Sequence, residues 1–434
     1  MAFLRRWWPV LLLVVAPLLV LWPCLGGNVP GGYGTVATMQ PFGHAPQPGE
    51  AWDILSADGA LQFYSWRDLV FEGWHSGQMP LWNPYQFCGT PLLANSQSAP
   101  FYPLHILIGV LGISTGLGIL LLAWIHLAMA GLGARALALR FGASEAGAAL
   151  SGFFFGTSLF MSAWIALPSV ATTVCWVPWA MAFAVGLTQK PSLGGFLGLA
   201  GSVALSFLGG HLQFAAYGAI GTAFVAVSAL LVSEAAWKVR GGALIAGLLA
   251  VGLGLAVASV QVMPALEYSK LSHRQSKPTA EGWAAYSKSA VQPWEFAGLA
   301  FPQLMGVPSQ AEPLSGDSKL SQYWPSLVKP GDHLAESAIA VALPALMLLA
   351  LVSWKKDWKR LAPLWGLAIL GLLLLTGILA QPLYFGLPGW SATGSPGRAS
   401  FLFVLGLGVL ASLGWKSELD GKIGRPAMTL GAVV

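Results

Sequence analysis

The chain has 434 residues and a formal net charge of +5, yet only 9% of its residues are charged, against roughly 25% in soluble domains. Mean hydropathy is +0.66, and 20 Trp accompany 21 Phe. This composition excludes a soluble domain and describes an integral membrane protein. A hydrocarbon core needs about 20 apolar residues per crossing helix, and lipid offers backbone groups no hydrogen bonds, so the apolar runs must be helical. The fold class is therefore all-α, a polytopic transmembrane helical bundle.

Ten spans are predicted in chain order, near 8–25, 115–139, 146–166, 168–187, 192–209, 212–233, 242–262, 336–353, 361–380 and 399–415. The connections between them alternate in charge. Arg5, Arg6, Arg135, Arg140, Lys190, Lys238, Arg240, Lys355, Lys356, Lys359, Arg360, Lys416, Lys422 and Arg425 fall on one side, which holds 14 of the 22 Lys and Arg but 5 of the 17 Asp and Glu. By the positive-inside rule that side, with the N-terminus, is cytoplasmic. The pI near 9.1 thus reports orientation in a membrane, and no nucleic-acid partner is expected. Arg5 and Arg6 precede an apolar run in the manner of a secretory signal. No small-residue cleavage site follows, so the run is read as an uncleaved first span.

Two connections on the opposite side are long, about 26–114 and 263–335, and function is expected there. The first begins as Gly/Pro-rich irregular chain, and a helix signal starts near Trp52. From Asp58 to Phe71, the residues Leu61, Phe63, Trp66, Leu69 and Val70 share one face. That spacing predicts a helix lying in the membrane interface, with Asp58, Gln62, Arg67 and Asp68 toward its polar side or a cavity. After the turn signal Gly77-Gln78-Met79-Pro80, the pairs Asn83-Pro84 and Thr90-Pro91 with Gly89 predict an ordered loop. Trp82, Tyr85, Phe87, Phe101 and Tyr102 supply rings that either form an aromatic belt at headgroup level or stack against a sugar ring. In the second connection, SKPTAEGWAAYSKSAVQPWEFAGLAFPQLMG predicts short interfacial helices, and the Pro/Ser-rich stretch after it a flap. Cys24 and Cys88 either form a disulfide outside the cytoplasm or remain free thiols, and no Cys/His spacing resembles a zinc site.

The elements D-x-x-x-Q-F-Y, from Asp58, and P-L-W-N-P-Y-x-F-x-G-T-P-L-x-A-N-x-Q-S-x-x-F-Y-P-L, from Pro80, resemble the first outer-loop signature of the YfhO family of bacterial polytopic membrane proteins. Further segments agree in order: Gly210-His211-Leu212-Gln213, Gln261 to Tyr268 leading to Ser272-His273-Arg274, Phe301 to Gly306, Glu336 and Arg398. The resemblance runs from the first span to the tenth. It implies a single membrane domain of the GT-C glycosyltransferase type over 1–434. Such an enzyme lies in the inner (cytoplasmic) membrane with its active face outside the cytoplasm. There it moves a sugar from a polyprenyl-phosphate carrier to an acceptor in the cell envelope. Members usually continue with more spans and an outer soluble domain. Here nine residues follow Arg425, so those parts are expected to be absent.

An acidic residue of the first outer loop is the catalytic base in that superfamily, and Asp58 is the position that matches. Glu50, Asp53, Asp68 and Glu72 lie outside the matching element. A glycosyl transfer to a hydroxyl must remove its proton, which a positioned carboxylate can do. The departing lipid phosphate needs cations, for which Arg274, Arg398, Lys270 and His211 are candidates, Arg first because its planar fork matches phosphate oxygens. Gln62, Arg67, Trp82, Asn83, Gln97, Tyr102, Gln213, Glu267 and Glu336 complete the expected substrate-binding set. Asp58 read alone is equally a helix N-cap, Arg274 a residue of a solvated face, Glu336 a partner for an outer cation, and His126 an interhelical hydrogen bonder. A transporter or lipid flippase, and a non-catalytic assembly factor, stand as rival classes. Sugar, acceptor, divalent-metal use and oligomeric state are not legible.

Overall fold

A computed structural model describes residues 2–31, 41, 57–271, 278–305, 334–352 and 357–415. Among them the protein is a helical bundle, with one two-residue hairpin as its only sheet. The longer helices are α1 Ala2–Val15, α2 Ser65–His75, α3 Pro103–Val110, α4 Thr115–Arg140, α5 Glu145–Gly156 and α6 Pro168–Val174. There follow α7 Val177–Gln189, α8 Leu193–Leu208, α9 Leu212–Val232, α10 Trp237–Ser269, α11 Ala280–Lys288, α12 Leu343–Leu349, α13 Trp358–Leu375, α14 Ala380–Gly386 and α15 Ser400–Gly414.

Eight helical stretches are long and apolar enough to cross a membrane: Trp7–Cys24, Thr115–Arg140, Glu145–Ala166, Pro168–Gln189, Leu212–Val232, Trp237–Ser269, Trp358–Leu375 and Pro396–Gly414. Eight of the ten expected spans are therefore present as such. The other two differ in length. The run at 192–209 is the 16-residue α8, and the run at 336–353 is broken into a 3-10 turn, Leu334–Ser337, and the seven-residue α12. Pro344 at the start of α12 and the hydrogen-bonded polar side chains of buried Glu336 and half-buried Ser337 explain the break, because an apolar sum over 18 residues does not register them.

The spans sort by how much of their surface protein covers. Pro396–Gly414 is 89% buried and lies against α4, α5, α12 and α13. Trp237–Ser269 is 22% buried and packs chiefly on α8, leaving Leu244, Leu248, Leu253 and Val257 outward as lipid-facing surface. Small residues set the closest approach. α4 and α5 cross at Gly131 and Gly152, where an added Cβ on either would meet the partner's carbonyl oxygen at 2.9 and 2.5 Å.

The two ends of the bundle differ in charge. At one end Arg135 pairs with Glu145, Lys359 with Glu234 at 3.5 Å, Arg360 donates to the Phe141 carbonyl, and Arg240 donates to the carbonyls of Ser233 and Ala235. These residues are those expected to share one side. At the other end gather the segment from Asp58 to Ile113, α11, and the turns before α12 and α15. Of the short helices expected in 276–306, the described residues contain α11 and the 3-10 turns Pro293–Leu299 and Pro302–Met305. Trp52 and the expected flap lie outside the described residues.

Candidate functional site

Asp58 immediately precedes a π-helical turn, Gly59–Tyr64, which leads directly into α2. Such turns are rare and concentrate at functional positions. Asp58 does not act as a helix cap: its backbone is helical (φ −61°, ψ −34°) and its side chain makes no capping bond. Instead Gln62 Nε2, four residues on, donates to Asp58 Oδ1 at 2.9 Å. The next residue is wedged between two backbones. A Cβ added to Gly59 would meet the Gly31 oxygen at 2.5 Å and the Ala166 oxygen at 2.8 Å. Half-buried Asp58 thus directly precedes a backbone contact with the 3-10 turn Trp164–Ala166.

Arg398 lies against the same turn. Its guanidinium lies 5.5 Å from the centre of the Trp164 ring, in cation–π geometry. Arg398 Nε donates to Glu336 Oε1 at 3.0 Å and Nη1 to Gln213 Oε1 at 3.1 Å. Gly394 N donates to the same Gln213 oxygen at 3.0 Å, and Gln213 Nε2 donates to the Ser395 carbonyl at 3.2 Å. Nη2 has no partner among the described residues, and 18% of the side chain stays accessible. His211 joins through its ring, 4.6 Å from that of Phe214, which in turn meets Trp164 at 5.3 Å. Thus Gln213, Glu336 and Arg398, dispersed over 186 positions of sequence, form one hydrogen-bonded cluster with His211 against its aromatic floor.

Gln97 ties the first-loop half to this floor. Its Oε1 accepts from Ser169 Oγ at 3.0 Å, and its carbonyl accepts from Arg67 Nη1 at 3.1 Å. The positive φ of Gly210 (+103°) lets its backbone lie on Ser96 and Gln97, where an added Cβ would be 2.5 Å from the Ser96 oxygen. Gln261 Nε2 then bridges the Ser96 carbonyl (3.3 Å) and the Leu208 carbonyl (3.1 Å).

Several expected residues take other positions. Arg67 does not face the polar side: it is fully buried and also donates to the Ser98 carbonyl, while its Nε and Nη2 have no partner among the described residues. Burial pushes its guanidinium down to about 9, against the opposing influence of the Tyr102 hydroxyl. Its charge suggested the polar side, but within the regular α2 it shares the buried face of Trp66, Val70 and Phe71. Tyr102 is equally buried and offers no ring to a headgroup or sugar. Its hydroxyl bonds His126 Nε2 at 2.8 Å and accepts from Trp176 Nε1 at 3.0 Å, which makes His126 the interhelical bonder expected. Neighbouring His105 donates through Nδ1 to the Ala99 carbonyl at 2.7 Å, and burial, then Arg67, holds its imidazole well below 6.5.

Asn83 is buried and spent on its own loop: Nδ2 donates to Gln86 Oε1 at 3.0 Å and Oδ1 accepts from Tyr85 N at 2.9 Å. Trp82, in the strand Trp82–Asn83 that pairs with Thr90–Pro91, is largely exposed and covers Gly89. Glu267 and Lys270 are exposed at the end of α10, apart from the Arg398 cluster, and Arg274 lies outside the described residues. Cys24, Cys88 and Cys175 are free thiols, and among the described residues no three His, Cys, Asp or Glu side chains converge as metal ligands.

Sequence reasoning missed Trp164 and Gln261. Trp164 reads as one more ring in an apolar span. The available signal was Leu167-Pro168, which ends a helix a few residues after it and so places it in a turn.

No family profile matches the chain, and no curated protein does. Among solved structures it is similar to the archaeal oligosaccharyltransferase AglB from Archaeoglobus fulgidus, determined in complex with an inhibitory peptide and a dolichol-phosphate. The identity is 10%, the alignment covers 99% of this chain and 52% of that one, and the TM-score is 0.48. The chain therefore spans about half the length of that protein.

Proposed function

We propose that the protein is a membrane-integral glycosyltransferase of the GT-C type, similar to the YfhO family, which moves a sugar from a polyprenyl-phosphate carrier to an acceptor outside the cytoplasm. The observation that carries the reading is that one turn, Trp164–Ala166, meets both the backbone at Gly59, next to Asp58, and the guanidinium of Arg398. The basic end of the bundle is then cytoplasmic by the positive-inside rule, and the site is at the outer leaflet of the inner membrane.

In the reaction, an acceptor hydroxyl oxygen attacks the anomeric carbon while the bond from that carbon to the carrier's phosphate oxygen breaks. The bonding pair leaves on the phosphate, and the hydroxyl proton passes to the Asp58 carboxylate, with inversion at the carbon. Gln62 orients the carboxylate through Oδ1. Arg398 Nη2 meets the charge that develops on the phosphate, a donor aimed in advance by Glu336, Gln213 and the Trp164 face. Because Glu336 already offsets the charge of Arg398, the guanidinium acts chiefly as a directed donor. A transport reading draws less support, since His126, an ionisable side chain within a span, is occupied by Tyr102.

The test is sugar transfer by the purified protein from a panel of labelled polyprenyl-phosphate sugars, with release of polyprenyl phosphate as readout. Wild type should turn over at least one donor, and Asp58→Asn should lose on the order of 10²-fold or more. Undiminished transfer by Asp58→Asn would remove it as base; no turnover of any donor by the wild type would remove the enzymatic reading.

A further inference from the structure

A cavity of about 460 Å³ opens at the basic end of the bundle, between the ends of α4, α7, α9 and α13. It lies at the far end of the 26-residue α4 from the first-loop site, on the order of 39 Å away at 1.5 Å per residue. Two kinds of surface line it. Arg140, Lys359 and Arg360 supply three cations, with the polar residues Thr188, Gln189 and Ser233; Val185, Ala229, Val232 and Pro363 supply an apolar wall.

The cations are only partly used by the protein. The Arg140 guanidinium makes no hydrogen bond among the described residues; it lies over Gly186, within 3.0 Å of where a Cβ would be. Arg360 donates through Nε to the Phe141 carbonyl, and both its Nη atoms remain without a partner among the described residues. Lys359 meets Glu234 at 3.5 Å, an exposed pair that holds the ammonium weakly. Two guanidinium groups and one ammonium therefore line one space, and among its described lining residues there is no carboxylate. The complement is a group with several anionic or strongly accepting oxygens, bidentate toward Arg.

We propose that this cavity binds the phosphodiester headgroup of an anionic membrane lipid, with its acyl chains along the wall of Val185, Ala229, Val232 and Pro363. A free phosphate shares the headgroup's chemistry but has no use for that wall. That apolar lining belongs to membrane-spanning helices, with Ala229 and Val232 partly exposed, so the lipid is the source the setting favours. The site is independent of the proposed transfer reaction and stands whether or not that reaction is right.

The experiment titrates the purified protein, in zwitterionic detergent, with dihexanoyl phosphatidylglycerol, dihexanoyl phosphatidylcholine or glycerol 3-phosphate, and follows thermal unfolding and bound lipid by native mass spectrometry. Phosphatidylglycerol should raise the midpoint saturably with one tight equivalent bound, and the other two should not. Arg140→Gln should weaken that binding at least tenfold. Because the Arg140 guanidinium makes no protein hydrogen bond, its ligand-free midpoint should match the wild type. Lys359→Gln, an exposed position, should weaken it about threefold and controls for any folding defect. Equal responses to phosphatidylcholine, equal affinity in Arg140→Gln, or an effect of glycerol 3-phosphate as large as that of the lipid would each overturn the assignment.

Discussion

Replacing Arg398 by Met and Glu336 by Gln, singly and together, tests whether the cluster over Trp164 is one energetic unit. The pair is 3.0 Å apart, with 18% and 6% of the two side chains accessible. At an effective dielectric of about 20 its Coulomb energy is about 5.5 kcal/mol, most of it offset by the cost of taking both ions out of water. Arg398→Met leaves the buried Glu336 carboxylate without its guanidinium and also removes the bond to Gln213, for a loss of about 3–5 kcal/mol. Glu336→Gln keeps the shape but leaves Arg398 with a neutral partner, about 2 kcal/mol. In the double variant neither charge is buried, so the loss should be about 2 kcal/mol rather than the 5–7 kcal/mol of two independent changes. Equilibrium unfolding in mixed denaturing micelles measures all four corners of the cycle. A double variant whose loss equals the sum of the single losses to within about 0.5 kcal/mol would refute the coupling.

Gly59→Ala places a Cβ against the Gly31 and Ala166 oxygens, both backbone and unable to swing aside. Sugar transfer should fall more than tenfold and stability by about 1–3 kcal/mol, and retention of full activity would detach the Gly59 contact from the reaction. His105 is held neutral in the folded protein, whereas the unfolded chain takes up a proton below its ordinary 6.5. The unfolded state then binds more protons, so this contribution is present above pH 6.5 and lost as pH falls, by about 1.4 kcal/mol per unit. Between pH 6 and pH 5 the stability of His105→Asn should fall less steeply than that of the wild type by that amount; parallel curves would show that His105 titrates normally in the fold.

The sequence carried the fold class because lipid imposes a single rule on the backbone, and long apolar runs have few other uses. It carried span length less well. The run at 336–353 has the hydropathy of a span, but the buried contacts of Glu336 to Arg398 and Ser337 to Glu295 divide it, and partners 42 and 62 residues away leave no trace in a local average. The site was legible where residue type alone restricts the role. Gln213, Glu336 and Arg398 are polar groups at the ends of apolar runs, and such groups must find partners, which here are one another. Residue type alone misplaced Arg67: at spacings of one, three and four from Trp66, Val70 and Phe71 it shares their buried face of α2 and turns inward onto the carbonyls of Gln97 and Ser98. A local pattern of polar and apolar residues does not show those carbonyls, which come from 30 and 31 residues along the chain. The Gln97 side chain in turn accepts from Ser169, on the helix that follows the Trp164–Ala166 turn. The Gln97 segment thus joins α2 to the second half of the candidate site.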